Sequence, residues 1–133
     1  MHIWLIKLGE PVPLDGENVR LGRAGQLSKW LSSNGHVVRF FNGTFYHQEK
    51  QQRFSETKDF SIAPNFNLTL LQSRPYQRSV SLARLRSHAD AAAEFNKWIR
   101  TNSEKPDVIF CAYPVEELCR AAARFGRINN IPV

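Results

Sequence analysis

Apolar residues in this chain alternate between short dense runs and stripes at three-and-four spacing. The run His2-Ile3-Trp4-Leu5-Ile6-Lys7-Leu8 predicts a buried strand. A loop rich in glycine, proline and acids, Gly9 to Arg20, leads into a helix expected from about Asn18 to Asn34. Ala24, Leu27, Trp30 and Leu31 form its core-facing stripe, Asp15 or Asn18 can cap it, and Gly35 can stop it. His36 to Phe41 reads as the next strand. A polar stretch, Thr44 to Lys58, interrupts the repeat before an extended segment from Phe60 to Leu71 that is ended by Pro75.

A second helix is expected over about Ser79 to Thr101, with Leu82, Leu85, Ala89, Ala92, Phe95 or Asn96, and Ile99 on one stripe. Val108 to Ala112 is the dense run of a strand covered on both faces, and a helix from about Val115 to Phe125 follows, stopped at Gly126. Asn129 to Val133 reads as the start of another parallel strand, which implies a longer polypeptide. Strands alternating with helices predict an α/β domain with a parallel sheet.

The first strand, the loop and the helix start together form the usual ligand edge of such a sheet, where unpaired N–H groups attract anions. The loop carries no dinucleotide fingerprint: the pair Gly22 and Gly25 falls inside the expected helix.

Composition narrows the class. At 42% hydrophobic and 23% charged the chain reads as one globular domain. No apolar run approaches the roughly 20 residues of a membrane-spanning helix, and the start lacks a signal-peptide cleavage site, so a cytoplasmic location is expected. Cys111 and Cys119 read as free, buried thiols rather than a disulfide or metal pair.

The net charge of +6 is uneven. Residues 74–100 hold six bases, Arg74, Arg78, Arg84, Arg86, Lys97 and Arg100, against two acids, Asp90 and Glu94. A basic helix of this kind suggests an anionic partner, with Arg78, Arg84 and Arg86 as a patch for the headgroup face of a membrane.

His47, Lys50 and Arg53 form a cationic cluster beyond the second strand, and His47 is suited to acid–base work near neutrality. Glu116 and Glu117 read as first-turn helix acids rather than a catalytic pair. No P-loop, HExxH, nucleophile elbow or zinc spacing occurs, so neither metal nor bound cofactor is expected.

Three stretches resemble the amino-terminal half of family 4 glycosyltransferases, above all bacterial enzymes of O-antigen and capsule synthesis. They are Ile3 to Pro11, Asp15 to Arg20, and Thr44-Phe45-x-His47-Gln48-x-Lys50-x-Gln52-Arg53-Phe54. Pro106-Asp107-Val108-Ile109 and Asn130-Ile131-Pro132-Val133 fit the same register. The resemblance implies a Rossmann-like parallel sheet with helices on both faces, the acceptor-side half of a two-domain GT-B enzyme.

It also implies a nucleotide-sugar donor and a lipid-linked or polysaccharide acceptor, with retention of configuration and no metal. Gly9, Glu10, Gly16, Glu17, Asn18 and Arg20 would then line the cleft towards the donor. Lys50, Arg53 and Tyr113 would meet the acceptor, and His47 would act in catalysis. The donor-binding domain is missing from these residues, so no turnover is expected from them alone. The sequence pI near 9.7 supports an alternative, a basic α/β module that binds nucleic acid. A flavodoxin-like domain binding a small molecule is the third reading.

Overall fold

In the computed structural model, which describes residues 1–133, the apolar run at the amino terminus is an interior strand of a five-stranded sheet. Strand β1 (His2–Ile6) pairs in parallel with β2 (Val37–Gly43) on one side and with β7 (Val108–Cys111) on the other. Beyond β2 lies β6 (Phe66–Leu71), also parallel. The edge strand β5 (Lys58–Ala63) runs antiparallel to β6. The sheet is therefore mixed rather than wholly parallel.

The expected single extended segment from Phe60 to Leu71 is a hairpin, because Pro64-Asn65 turns the chain between β5 and β6. A small antiparallel ribbon, β3 (Phe45–Tyr46) with β4 (Gln51–Gln52), occupies the polar stretch after β2.

Helix α1 (Arg23–Ser33) covers one face of the sheet; α2 (Leu82–Thr101) and α3 (Glu116–Asn129) cover the other. Alternation of side chains divides the core accordingly. Ile3, Leu5, Val38, Phe40, Leu68 and Leu70 pack with Ala24 of α1. Trp4, Ile6, Phe41 and Leu71 pack with Ala91, Phe95 and Trp98 of α2 and with Leu118 of α3. Trp4 is wholly buried, stacked on Phe125 at 5.3 Å and met edge-on by Phe41 and Trp98.

Several boundaries differ from the pattern reading. Helix α1 begins at Arg23, not near Asn18, and Pro13–Asp15 form a separate 3-10 turn. Neither Asp15 nor Asn18 caps it. Trp30 is exposed, whereas Gly35 ends the helix region with φ +84° as expected.

Helix α2 begins at Leu82 behind a Ser81 cap, whose hydroxyl accepts the Arg84 amide at 3.1 Å. Leu82 and Leu85 are exposed, so the true core stripe is Ser87, Ala91, Ala92, Phe95 and Trp98. Strand β7 is an edge strand, not one covered on both faces, and its Phe110 is 56% exposed.

Helix α3 passes through Gly126 and ends with Asn130 in the left-handed region. The missing side chain at Gly126 makes room for Ile131 and Val133: a Cβ there would fall 2.7 Å from the Ile131 carbonyl oxygen. The Pro132 carbonyl accepts the Ile109 amide at 2.9 Å, which holds the last residues beside β7, but residues 131–133 do not form the expected strand. Cys111 and Cys119 are free thiols, half-buried rather than buried, with their sulfurs 3.1 Å apart. No helix is long and apolar enough to cross a membrane.

Candidate crevice at the carboxyl ends of the strands

The four parallel strands stand in the order β6-β2-β1-β7, so the connections from β1 and β7 leave towards opposite faces. Where they part, an open α/β sheet has a crevice beyond the strands' carboxyl ends. Here it measures about 230 Å³ and is lined by Lys7, Gly9, His47, Ser73, Tyr76, Arg84 and His88, among others.

The loop after β1 is fixed before it reaches α1. Gly9 has φ +80°, and its amide donates to Asn42 Oδ1 at 3.0 Å. Asn42 Nδ2 in turn donates to the Glu10 carbonyl at 2.9 Å. Glu10 borders the crevice, but its carboxylate is engaged at α1, where Oε2 accepts the Ala24 and Gly25 amides at 3.0 and 3.4 Å. The start of α1 is thus occupied by the chain's own carboxylate, which corrects the expectation of an external anion there. A Cβ at Gly22 would sit 2.5 Å from the Glu10 carboxyl, so a larger residue there would displace that carboxyl from the helix start.

Arg53 also differs from its expected role as a free acceptor-side cation. Its Nε and Nη2 donate to the two Asp15 carboxylate oxygens at 2.6 and 2.7 Å, and Nη1 donates to the Gly43 carbonyl at 2.9 Å. Both side chains are nearly buried. This clamp ties the 3-10 turn to the β3–β4 ribbon, so the Arg53 charge is already neutralised.

Gly16 and Asn18 line a second hollow of about 630 Å³, together with Asp15, Tyr46, Glu49 and Gln51. Glu17 lines a different one with Leu21 and Phe66, and Arg20 is exposed. The residues expected to form one wall therefore divide: Gly9, Glu10 and His47 line the crevice, while Gly16, Glu17, Asn18 and Arg20 do not.

His47 lies tilted on Tyr76 with ring centroids 5.4 Å apart, and its Nδ1 is 3.1 Å from Lys50 Nζ. Burial, then the Lys50 and Arg84 charges, push His47 below the ordinary imidazole value. His88 is pushed the same way by burial, then Arg84, with Glu117 opposing and His47 adding. Both rings are therefore neutral near pH 7 and able to accept a proton. Lys7 donates to the Tyr113 carbonyl at 2.8 Å, tying β1 to the loop after β7. Tyr113 itself is 72% exposed, and the following Tyr113–Pro114 peptide is cis.

Arg84 belongs to this crevice rather than to a surface patch with Arg78 and Arg86, which are exposed. Sequence reading missed His88 and Tyr76. A signal for His88 existed: Arg84, His88 and Ala91 share one face of α2 at three-and-four spacing. Tyr76 left none, because it sits in the irregular segment after β6.

An adjoining hollow of about 550 Å³ shares Arg84, His88 and Pro114 with the crevice and is walled by exposed Val80, Leu82, Leu85 and Tyr113. No group of three or more His, Cys, Asp or Glu side chains is placed to hold a metal ion. Compared with models of known protein families and with curated proteins, the chain matches none.

Proposed function

We propose that this chain is the acceptor-side, Rossmann-like half of a GT-B glycosyltransferase. In this reading the enzyme moves a sugar from a nucleotide-sugar donor to a lipid-linked or glycan acceptor. The observation that carries the reading is the crevice at the strand ends, with neutral His47 beside Tyr76. An unprotonated imidazole there can take a proton from an attacking hydroxyl, and an aromatic ring suits the apolar face of a sugar. Gly9 brings backbone close to the same space.

The donor would be held by a second domain facing this crevice, so these residues alone transfer no sugar. The half-open geometry also agrees with work at a membrane face: Arg78 and Arg86 flank the exposed Val80, Leu82 and Leu85.

The test is an amide-resolved NMR titration of the isotopically labelled chain with a short-chain diphosphate-linked monosaccharide and, separately, a nucleotide sugar. Shifts at Gly9, His47, His88 and Tyr113 with the first ligand support the reading. No shifts there with the acceptor, or the same residues responding to duplex RNA or DNA instead, would replace it with the nucleic-acid alternative or reject both. Binding to anionic vesicles that weakens with salt supports the membrane placement, and equal binding to neutral vesicles rejects it.

A further inference from the structure

We infer that the crevice contains a phosphate-binding site built by Arg84 and Lys7, with Lys50 at its margin against His47 and Tyr76, and apart from the start of α1. Its basis is uncompensated charge in a confined space. The ion pairs of the molecule include none of these three cations. The single carboxylate lining the crevice belongs to Glu10, and it is spent on the α1 amides. Glu116 and Glu117 border the adjoining hollow that Arg84 also lines, but neither is paired with it.

Arg84 is held by one bond, Nη1 to the Ser79 carbonyl at 2.7 Å, while its Nε is shut from water with no partner. Arg84 is half-buried, and an N–H shut from water without a partner costs stability unless an acceptor completes it. Lys50 lies 5.0 Å above the Tyr76 ring with its Nζ on His47, so it too meets neutral groups only. The hydroxyl side chains of Ser73 and Ser87 line the same space and add neutral donors.

A phosphate or diphosphate group satisfies this set. It brings a dianion, several acceptor oxygens and a size that the crevice admits, and it would draw charge-assisted bonds from a planar guanidinium. The site goes beyond the transferase reading, since it binds a phosphate group whatever carries it. The carrier is either a nucleotide or an amphiphilic phosphate ester. The second would lay its apolar part along Val80, Leu82 and Leu85.

Calorimetric titration with pyrophosphate at low and moderate salt tests the site. Arg84→Gln and Lys50→Gln are each expected to weaken binding tenfold or more. Arg78→Gln, which removes the same charge from an exposed position, is expected to change it less than twofold. Equal weakening by all three, or none by Arg84→Gln, would overturn the site in favour of diffuse attraction. Circular dichroism checks that each variant is folded, and the Lys50 variant carries the test if Arg84→Gln unfolds.

Decyl phosphate and a nucleoside diphosphate then identify the carrier. Weakening of decyl phosphate alone by Leu85→Ser supports the amphiphile; a nucleoside diphosphate that outbinds pyrophosphate supports the nucleotide. Pyrophosphate binding lost while the sugar-acceptor shifts persist rejects this site alone, and the converse rejects the acceptor reading alone.

Discussion

The Glu10 carboxylate accepts the Ala24 amide at 3.0 Å, so α1 is capped from across a loop rather than by its own flanking residue. The position before the helix, Gly22, offers no side-chain cap. Gly22→Ala is expected to push the carboxyl aside and to destabilise the fold by about 1–3 kcal/mol, combining overpacking with a lost cap. Urea unfolding measures it. Glu10→Gln, which keeps the shape but removes the charge, should cost less; equal costs would mean that the charge is irrelevant.

Arg53 and Asp15 form the other restraint on the same loop. Truncating one member of a buried pair strands the other, at about 3–5 kcal/mol. Arg53→Ala should therefore be severely destabilising. Arg53→Lys should recover only part of the loss, because an ammonium cannot make the two-pronged contact to Asp15 and still reach Gly43. Full recovery by lysine would show that charge alone matters there.

The two crevice histidines give a pH dependence of defined sign. Their folded values lie below the ordinary imidazole value, so the unfolded chain binds more protons in the window between the two. Stability contributed by them is present above pH 6.5 and is lost as pH falls through the lowered values. His88→Gln should flatten that slope in thermal melts taken between pH 7.5 and 5. Sulfate, which does not titrate in this range, should bind more tightly as pH falls. A slope unchanged in His88→Gln would remove His88 from this account.

Glu104 sets the behaviour at lower pH. Burial alone would raise its carboxyl, but hydrogen bonds and charge from Arg39, the Trp4 indole and His2 outweigh it and hold it below the usual range. Arg39 reaches it through Nε at 2.8 Å and Nη2 at 2.7 Å. Its stabilisation is present above about pH 4.5 and disappears as pH falls through the depressed value. Glu104→Gln should raise the midpoint of acid unfolding, read by tryptophan fluorescence through Trp4 and Trp98. An unmoved midpoint would mean that other carboxylates govern acid unfolding.

Much of the framework is legible in the chain. The unbroken run Ile3 to Ile6 can only be a central strand, because both of its faces must leave water. Ala92 and Phe95, both on the expected stripe, lie on the buried side of α2. Failures occur where local pattern is ambiguous. Leu82 and Leu85 fit a core stripe by spacing, yet no strand lies beneath that end of α2. Gly126 looks like a stop but is a packing position, since the returning Ile131 and Val133 occupy the space of its missing side chain.

The amino-acid sequence by itself determined the strand and helix alternation, the excess of bases in residues 74–100 and the two candidate loops. Only the tertiary structure decided which bases are free. Arg53 and Arg84 are alike as letters. One folds against Asp15, 38 residues away in the chain, while the other enters a crevice whose only carboxylate is turned to a helix start. Charge compensation depends on distances between elements, and a sequence shows those only after the sheet has brought its strands together.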